Sequence, residues 1–205
     1  MGTSTAIEEK NGKAATVGSR HVVLSSQPNS SPFVIWLTGL PSSGKTTIAS
    51  ALKPKLDKLG IRSQVLDGDI MRRELSPNLG FSRQDRYEHV KKVIYICKIL
   101  SNNGIASIVT IVSPDKEIRA FVKNQLDKLM EVYVKCSLAT CIKRDCKGLY
   151  KKALNGEMTN LIGLQDPYEE PVNPEVIADT EHESLDDITD NIILKIKEYS
   201  AESEE

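Results

Sequence analysis

Eight residues, Gly39-Leu40-Pro41-Ser42-Ser43-Gly44-Lys45-Thr46, constrain this chain more than any other stretch. They match G-x-x-x-x-G-K-[ST] at every fixed position. The apolar run Phe33–Thr38 precedes them, and a helical pattern over Thr46–Leu59 follows, stopped by Gly60. Strand, glycine turn and helix are the setting this loop needs. Gly39 and Gly44 let the backbone turn so that several N–H groups converge on phosphate oxygens. Lys45 brings a point charge to the β and γ phosphates, Thr46 offers a hydroxyl to Mg²⁺, and the helix adds its positive end. Gly39 to Thr47 are therefore the candidate triphosphate site.

Beyond the loop, short apolar runs alternate with longer helical stretches. The strand-like runs are Arg62–Asp67, Ile105–Val112, Glu131–Lys135 and Val176–Ala178. The helical stretches run from an N-cap at Ser82 to Asn102 or Asn103, then over Asp115–Leu129, Leu138–Cys146 and Leu185–Tyr199. This alternation predicts an α/β fold with a mainly parallel sheet. Residues 1–31 are rich in Ser, Thr, Ala, Gly and Asn and read as a disordered tail ahead of one domain over 32–205. The tail lacks a secretory h-region, is not Arg-rich like a transit peptide, and has Ala6 where a myristoylation motif wants Ser or Thr.

Composition narrows the function classes. Lys plus Arg is 27 against 28 Asp plus Glu, a net charge of −1, which argues against a chain devoted to nucleic-acid backbone or anionic membrane. No apolar run approaches the ~20 residues of a membrane helix. The four cysteines lack the close pairs of a zinc site and suit a reducing compartment, so a cytoplasmic location is expected. No guanine-reading NKxD motif is present, and the chain is short for a helicase or transporter ATPase. A small kinase fits best.

The acceptor side is written in three further segments. Asp67-Gly68-Asp69 closes a strand, with Arg72 three residues on. Carboxylates at a strand end beside the loop can position metal-bound water or take a proton from an attacking hydroxyl. Asn78-Leu79-Gly80-Phe81-Ser82 leads into Asp85-Arg86. Lys143–Lys152 carries five cations and one Asp around Gly148, either a solvated surface or the mobile cationic lid that phosphoryl transfer uses.

With IWLTGLPSSGKTT, LDGDIMRREL, NLGFSRQDR, IVSP, KRDCKGLYKKALNGE and DPYEEP in that order, the chain from Ser31 to about Tyr199 resembles the adenylylsulfate kinase (APS kinase) family. The resemblance implies a three-layer P-loop NTPase fold, nucleotide-kinase-like, with a mobile lid over about 147–171. It implies MgATP as phosphoryl donor, adenosine 5′-phosphosulfate as acceptor, and a homodimer. By resemblance Asp69 is the candidate base, and Asp67 assists near the metal with Thr46. Arg72 and Arg86 would hold the phosphosulfate, and Phe81 would stack on the acceptor adenine. Val112 and Ser113 would line that pocket, Lys151 would lie near the phosphates, and Arg144 would pack by the ATP base.

Three positions depart from the family pattern. His89 stands where the family has Asn, Leu161-Ile162-Gly163-Leu164 replaces FTGI, and Gln165 replaces Asp. His89 is either a like-for-like hydrogen-bonding replacement or an acceptor contact. Leu161 exchanges aromatic stacking, worth ~1–3 kcal/mol, for apolar burial. A kinase acting on another nucleoside anhydride, such as cytidine diphosphoramidate, and a low-turnover regulatory homologue are the competing readings.

Overall fold

The computed structural model describes residues 32–201; the expected tail, 1–31, lies outside the described residues. Five strands, β1 (Val34–Thr38), β2 (Ser63–Asp67), β3 (Ala106–Thr110), β4 (Leu129–Lys135) and β5 (Val176–Asp179), pair in parallel in the order β2-β3-β1-β4-β5. β1, with residues of very low exposure throughout, runs through the centre. Strand residues alternate between faces, and both faces are covered, as an all-parallel sheet requires. Ile35 and Leu37 pack towards α1 (Lys45–Lys58) and the last helix, Leu185–Ala201, through Ile48, Leu52, Leu56, Ile188 and Ile192. Val34 and Trp36 pack on the opposite side, against Val90, Val93, Ile94 and Cys97 of the helix Arg83–Asn102 and Ile118 and Val122 of the helix Lys116–Gln125.

Two short helices were not apparent in the sequence. One, α2, spans Gly68–Leu75; numbering in chain order then makes Arg83–Asn102 α3 and Lys116–Gln125 α4. Asp67 does not end in a loose polar turn. Its Oδ1 accepts from the Asp69 and Ile70 amides, at 3.0 and 3.2 Å, and so caps α2. After α5 (Leu138–Arg144) comes the second, α6 (Leu149–Leu154), which makes the closing helix α7. The stretch expected as one helix to Leu129 breaks at Leu126, whose backbone is extended, and β4 begins at Leu129. Buried Leu126 and Leu129 continue the apolar pattern across that break, which is why the period alone overran it.

A third, smaller core lies apart from the two layers. Cys136, Cys141, Tyr150, Ala153 and Leu161 are buried together, with Leu40 of the phosphate loop packed against them. The Tyr150 hydroxyl donates to the Pro41 carbonyl at 3.1 Å. The basic segment after α5 is thereby seated on the loop it was expected to cover.

Candidate active site

The carboxyl ends of the parallel strands converge on one cleft of about 640 Å³, the position where open α/β sheets bind ligands. On one side lies the turn between β1 and α1. Gly39, at φ 152°, has no room for a side chain: a Cβ would stand 2.5 Å from the Val134 carbonyl oxygen. Gly44, at φ 111°, starts α1 in a conformation that other residues rarely adopt. Lys45 Nζ donates to the Gly39 and Leu40 carbonyls at 2.9 and 2.6 Å. Burial pulls its pKa down to about 8, against the opposing influence of Cys141, Asp69 and Asp67. This lysine is a desolvated cation, which an anionic phosphate would stabilise.

Thr46 Oγ1 lies 3.2 Å from Asp67 Oδ2, and Thr110 Oγ1 also reaches that oxygen, at 3.4 Å. One hydroxyl and one carboxylate at the foot of a phosphate loop form the hard-oxygen set that Mg²⁺ uses when it keeps waters and substrate phosphates as its other ligands. Thr46 and Asp67 thus fit the ion. Asp69, in the first turn of α2, is exposed in the same cleft, and the ammonium of Lys147 contacts its Oδ2. That contact raises the Lys147 pKa.

Beyond Asp69 the cleft is cationic and aromatic. The Arg72 guanidinium lies over the Phe81 ring, 4.5 Å from its centroid, and donates to the Gly80 carbonyl. The Phe81 ring is itself exposed, free to take a flat partner. Arg86 Nη2 donates to Asp166 Oδ2 at 2.8 Å. Ser113, at φ 42°, receives the Trp36 indole N–H at 3.1 Å, and Thr38 Oγ1 donates to the Val112 carbonyl at 2.7 Å, which fixes the loop after β3. His89 is buried in the wall, its pKa lowered to about 4 by burial and by the charges of Arg72 and Lys92. Leu161 is buried in the third core and also lines the cleft.

Of the residues singled out in the sequence, Pro41, Ser42, Gly44, Lys45, Thr46, Thr47, Asp67, Asp69, Arg72, Phe81, Arg86, His89, Val112, Ser113, Arg144 and Leu161 all line this one cleft. Gly39, Leu40 and Ser43 stand behind it; Ser43 is fully buried, and its carbonyl accepts from Arg144 at 3.3 Å. Lys151 does not join the lining. Tyr150 turns into the third core, so its neighbour on α6 faces solvent. The cation of the basic segment that reaches Asp69 is Lys147, visible in the sequence only as one member of a basic run. Sequence reasoning also missed Thr180, whose hydroxyl and carbonyl both receive Arg144, at 2.9 and 2.8 Å. Thirty-six positions separate the two, and only the pairing of β4 with β5 brings them together.

A parallel sheet whose central strand delivers a phosphate loop into a cleft of cations and carboxylates defines a P-loop phosphotransferase. Its family follows from comparison with known proteins. The family model for adenylylsulphate kinase matches residues 31–179, and the chain belongs to that family. A probable adenylyl-sulfate kinase of Archaeoglobus fulgidus is 50% identical over 149 residues, covering 73% of this chain and 96% of the relative. An adenylyl-sulfate kinase of Gloeothece citriformis is 43% identical over 162 residues, 79% of this chain and 92% of the relative. Among solved structures, the APS kinase of Mycobacterium tuberculosis in complex with AMPPNP and APS superposes with a TM-score of 0.78 at 34% identity, covering 82% of this chain and 99% of that one.

Proposed function

We propose that this protein transfers the γ-phosphoryl group of ATP to the 3′-hydroxyl of adenosine 5′-phosphosulfate, giving 3′-phosphoadenosine 5′-phosphosulfate. The observation that carries the reading is the shared cleft: residues of the phosphate loop line a single cavity with Asp69, Arg72, Phe81 and Arg86. Membership of the family, and relatives that carry the same activity in their names, support it. Lys45 and the loop amides receive the triphosphate, with Arg144 beside the ATP base. Arg72 and Arg86 hold the phosphosulfate, Phe81 stacks on the acceptor adenine, and Val112, Ser113 and Leu161 complete its pocket. Asp69 orients the hydroxyl and takes its proton as the in-line attack proceeds, without a phospho-enzyme intermediate. Thr46 and Asp67 would hold Mg²⁺, which would supply neutralisation of the phosphate oxygens. Residues 147–171 act as the lid that excludes water, with Lys147 the cation nearest the chemistry.

The resemblance also supports a homodimer, which light scattering of the purified protein checks. Among the described residues no helix is long and apolar enough to cross a membrane, and the four cysteines are free. The decisive assay is ATP-dependent ADP release with Mg²⁺, against adenosine 5′-phosphosulfate and cytidine- and uridine-linked diphosphate analogues. ³¹P NMR reads the position of the new phosphate. Preference for adenosine 5′-phosphosulfate with phosphate on the 3′-oxygen is expected. A pyrimidine-linked preference would assign the Leu161 and His89 departures to a different acceptor, and ATP binding without turnover would point to a regulatory homologue.

A further inference from the structure

Ser76 ends α2 and His89 lies in the second turn of α3, and nothing in their spacing connects them. Folding buries both, each only 2% exposed, with Ser76 Oγ 3.0 Å from His89 Nδ1. The other ring nitrogen, Nε2, is buried without a hydrogen-bond partner, in a residue that forms part of the acceptor wall with Arg72 and Phe81. A buried polar atom left unpaired is costly, and such atoms tend to mark a place where something else binds.

Two proton arrangements are open to the pair. If Nδ1 carried the ring proton and donated to Ser76, the serine hydroxyl hydrogen and the Nε2 lone pair would both lack partners. If Ser76 donates to Nδ1, the serine is satisfied and one group alone is left over, the Nε2–H. We propose that Ser76 is a positioning residue: its hydroxyl donates to Nδ1 and fixes His89 as the Nε2–H tautomer, a neutral donor for an oxygen at the anionic end of the acceptor nucleotide. Burial, and after it the charges of Arg72 and Lys92 beside the ring, disfavour a second proton, and those charges favour an electron-rich partner. An imidazole donates from one nitrogen only when its proton is held there by the bond that the other nitrogen makes, and Ser76 supplies that bond. The ligand half of this inference rests on the acceptor reading given above; the tautomer does not.

The test uses the full chain. In ligand-free ¹⁵N-labelled protein near neutral pH, long-range ¹H–¹⁵N NMR is expected to show His89 protonated at Nε2 and bare at Nδ1. Ser76→Ala is expected to raise the KM for adenosine 5′-phosphosulfate roughly three- to tenfold, the effect of one hydrogen bond, and to leave the KM for ATP within about twofold. Ser76→Thr, which keeps the hydroxyl, restores it. Because Ser76 acts through the ring, adding Ser76→Ala to His89→Phe changes nothing further. An Nδ1-protonated ring in the wild type, an unchanged acceptor KM in Ser76→Ala, or an equal loss in the His89→Phe background overturns the proposal. If the wild type does not turn over adenosine 5′-phosphosulfate, the acceptor reading fails, and the NMR signature alone decides the role of Ser76.

Discussion

Arg86 and Asp166, eighty residues apart, meet in a 2.8 Å ion pair that joins the acceptor-side helix α3 to the segment after the third core. Arg86, which the proposed function gives to the phosphosulfate, therefore already has an anionic partner, with which an acceptor bound there would compete. Arg86→Ala is expected to raise the acceptor KM about tenfold to a hundredfold, the range for charge-assisted hydrogen bonds, with the KM for ATP little changed. Asp166→Asn should shift stability by less than about 1 kcal/mol, because the carboxylate is partly exposed. Steady-state kinetics and urea unfolding check the two halves. Equal loss on both substrates in Arg86→Ala would remove it from the acceptor site.

Asp69→Asn separates chemistry from binding. The carboxamide keeps the shape of the side chain but cannot accept the proton, so kcat should fall by about 10²–10⁴. ATP affinity, measured by calorimetry without acceptor, should stay within a few-fold. Unchanged turnover would take Asp69 out of the mechanism.

Lys45 gives ATP binding a pH dependence. Its folded pKa of about 8 lies below the ordinary lysine value of 10.5, chiefly through burial. Between those values the unfolded chain holds more protons than the folded one, so stability rises with pH across that window. Phosphate favours the charged ammonium, so binding above pH 8 takes up a proton and ATP affinity falls as pH rises. Calorimetry at pH 8.5 in buffers of different ionisation enthalpy should detect the uptake, and Lys45→Met should abolish it.

His89 sets an acid limit. Its pKa falls from 6.5 to about 4, first through burial and then through Arg72 and Lys92. Acidification from pH 6.5 towards 4 protonates the unfolded chain first, so stability drops across this window, by about 2 kcal/mol at pH 5. In His89→Asn that part of the drop should vanish. Parallel urea titrations at pH 7 and pH 5 give the comparison, and an equal drop in wild type and variant would count against the assignment.

What the sequence made legible was local. The loop Gly39–Thr46 announces itself because its chemistry needs consecutive residues, and Ser82 announces α3 because a cap acts over three positions. The helices α2 and α6 escaped notice because each is short. α2 is capped by Asp67, which the sequence also offers as a metal ligand, and α6 follows Gly148 in a left-handed turn. Long-range pairings were out of reach. Lys147 with Asp69, Arg144 with Thr180 and Ser76 with His89 depend on strand order and on how helices pack, and no spacing encodes either. Lys151 and Lys147 look alike in a basic run; the inward turn of Tyr150 is what separates them.

The hydrogen bond from Tyr150 to Pro41 has a bearing on how the enzyme would fail when heated. Tyr150 and the four buried residues around it form a far smaller unit than either layer flanking the sheet, and small units open at lower free energy than the whole. Leu40 and Pro41 sit on that unit, so its opening releases the triphosphate loop while the sheet stays intact. Thermal inactivation should then run ahead of global melting, and saturating nucleotide should close the gap between the two temperatures.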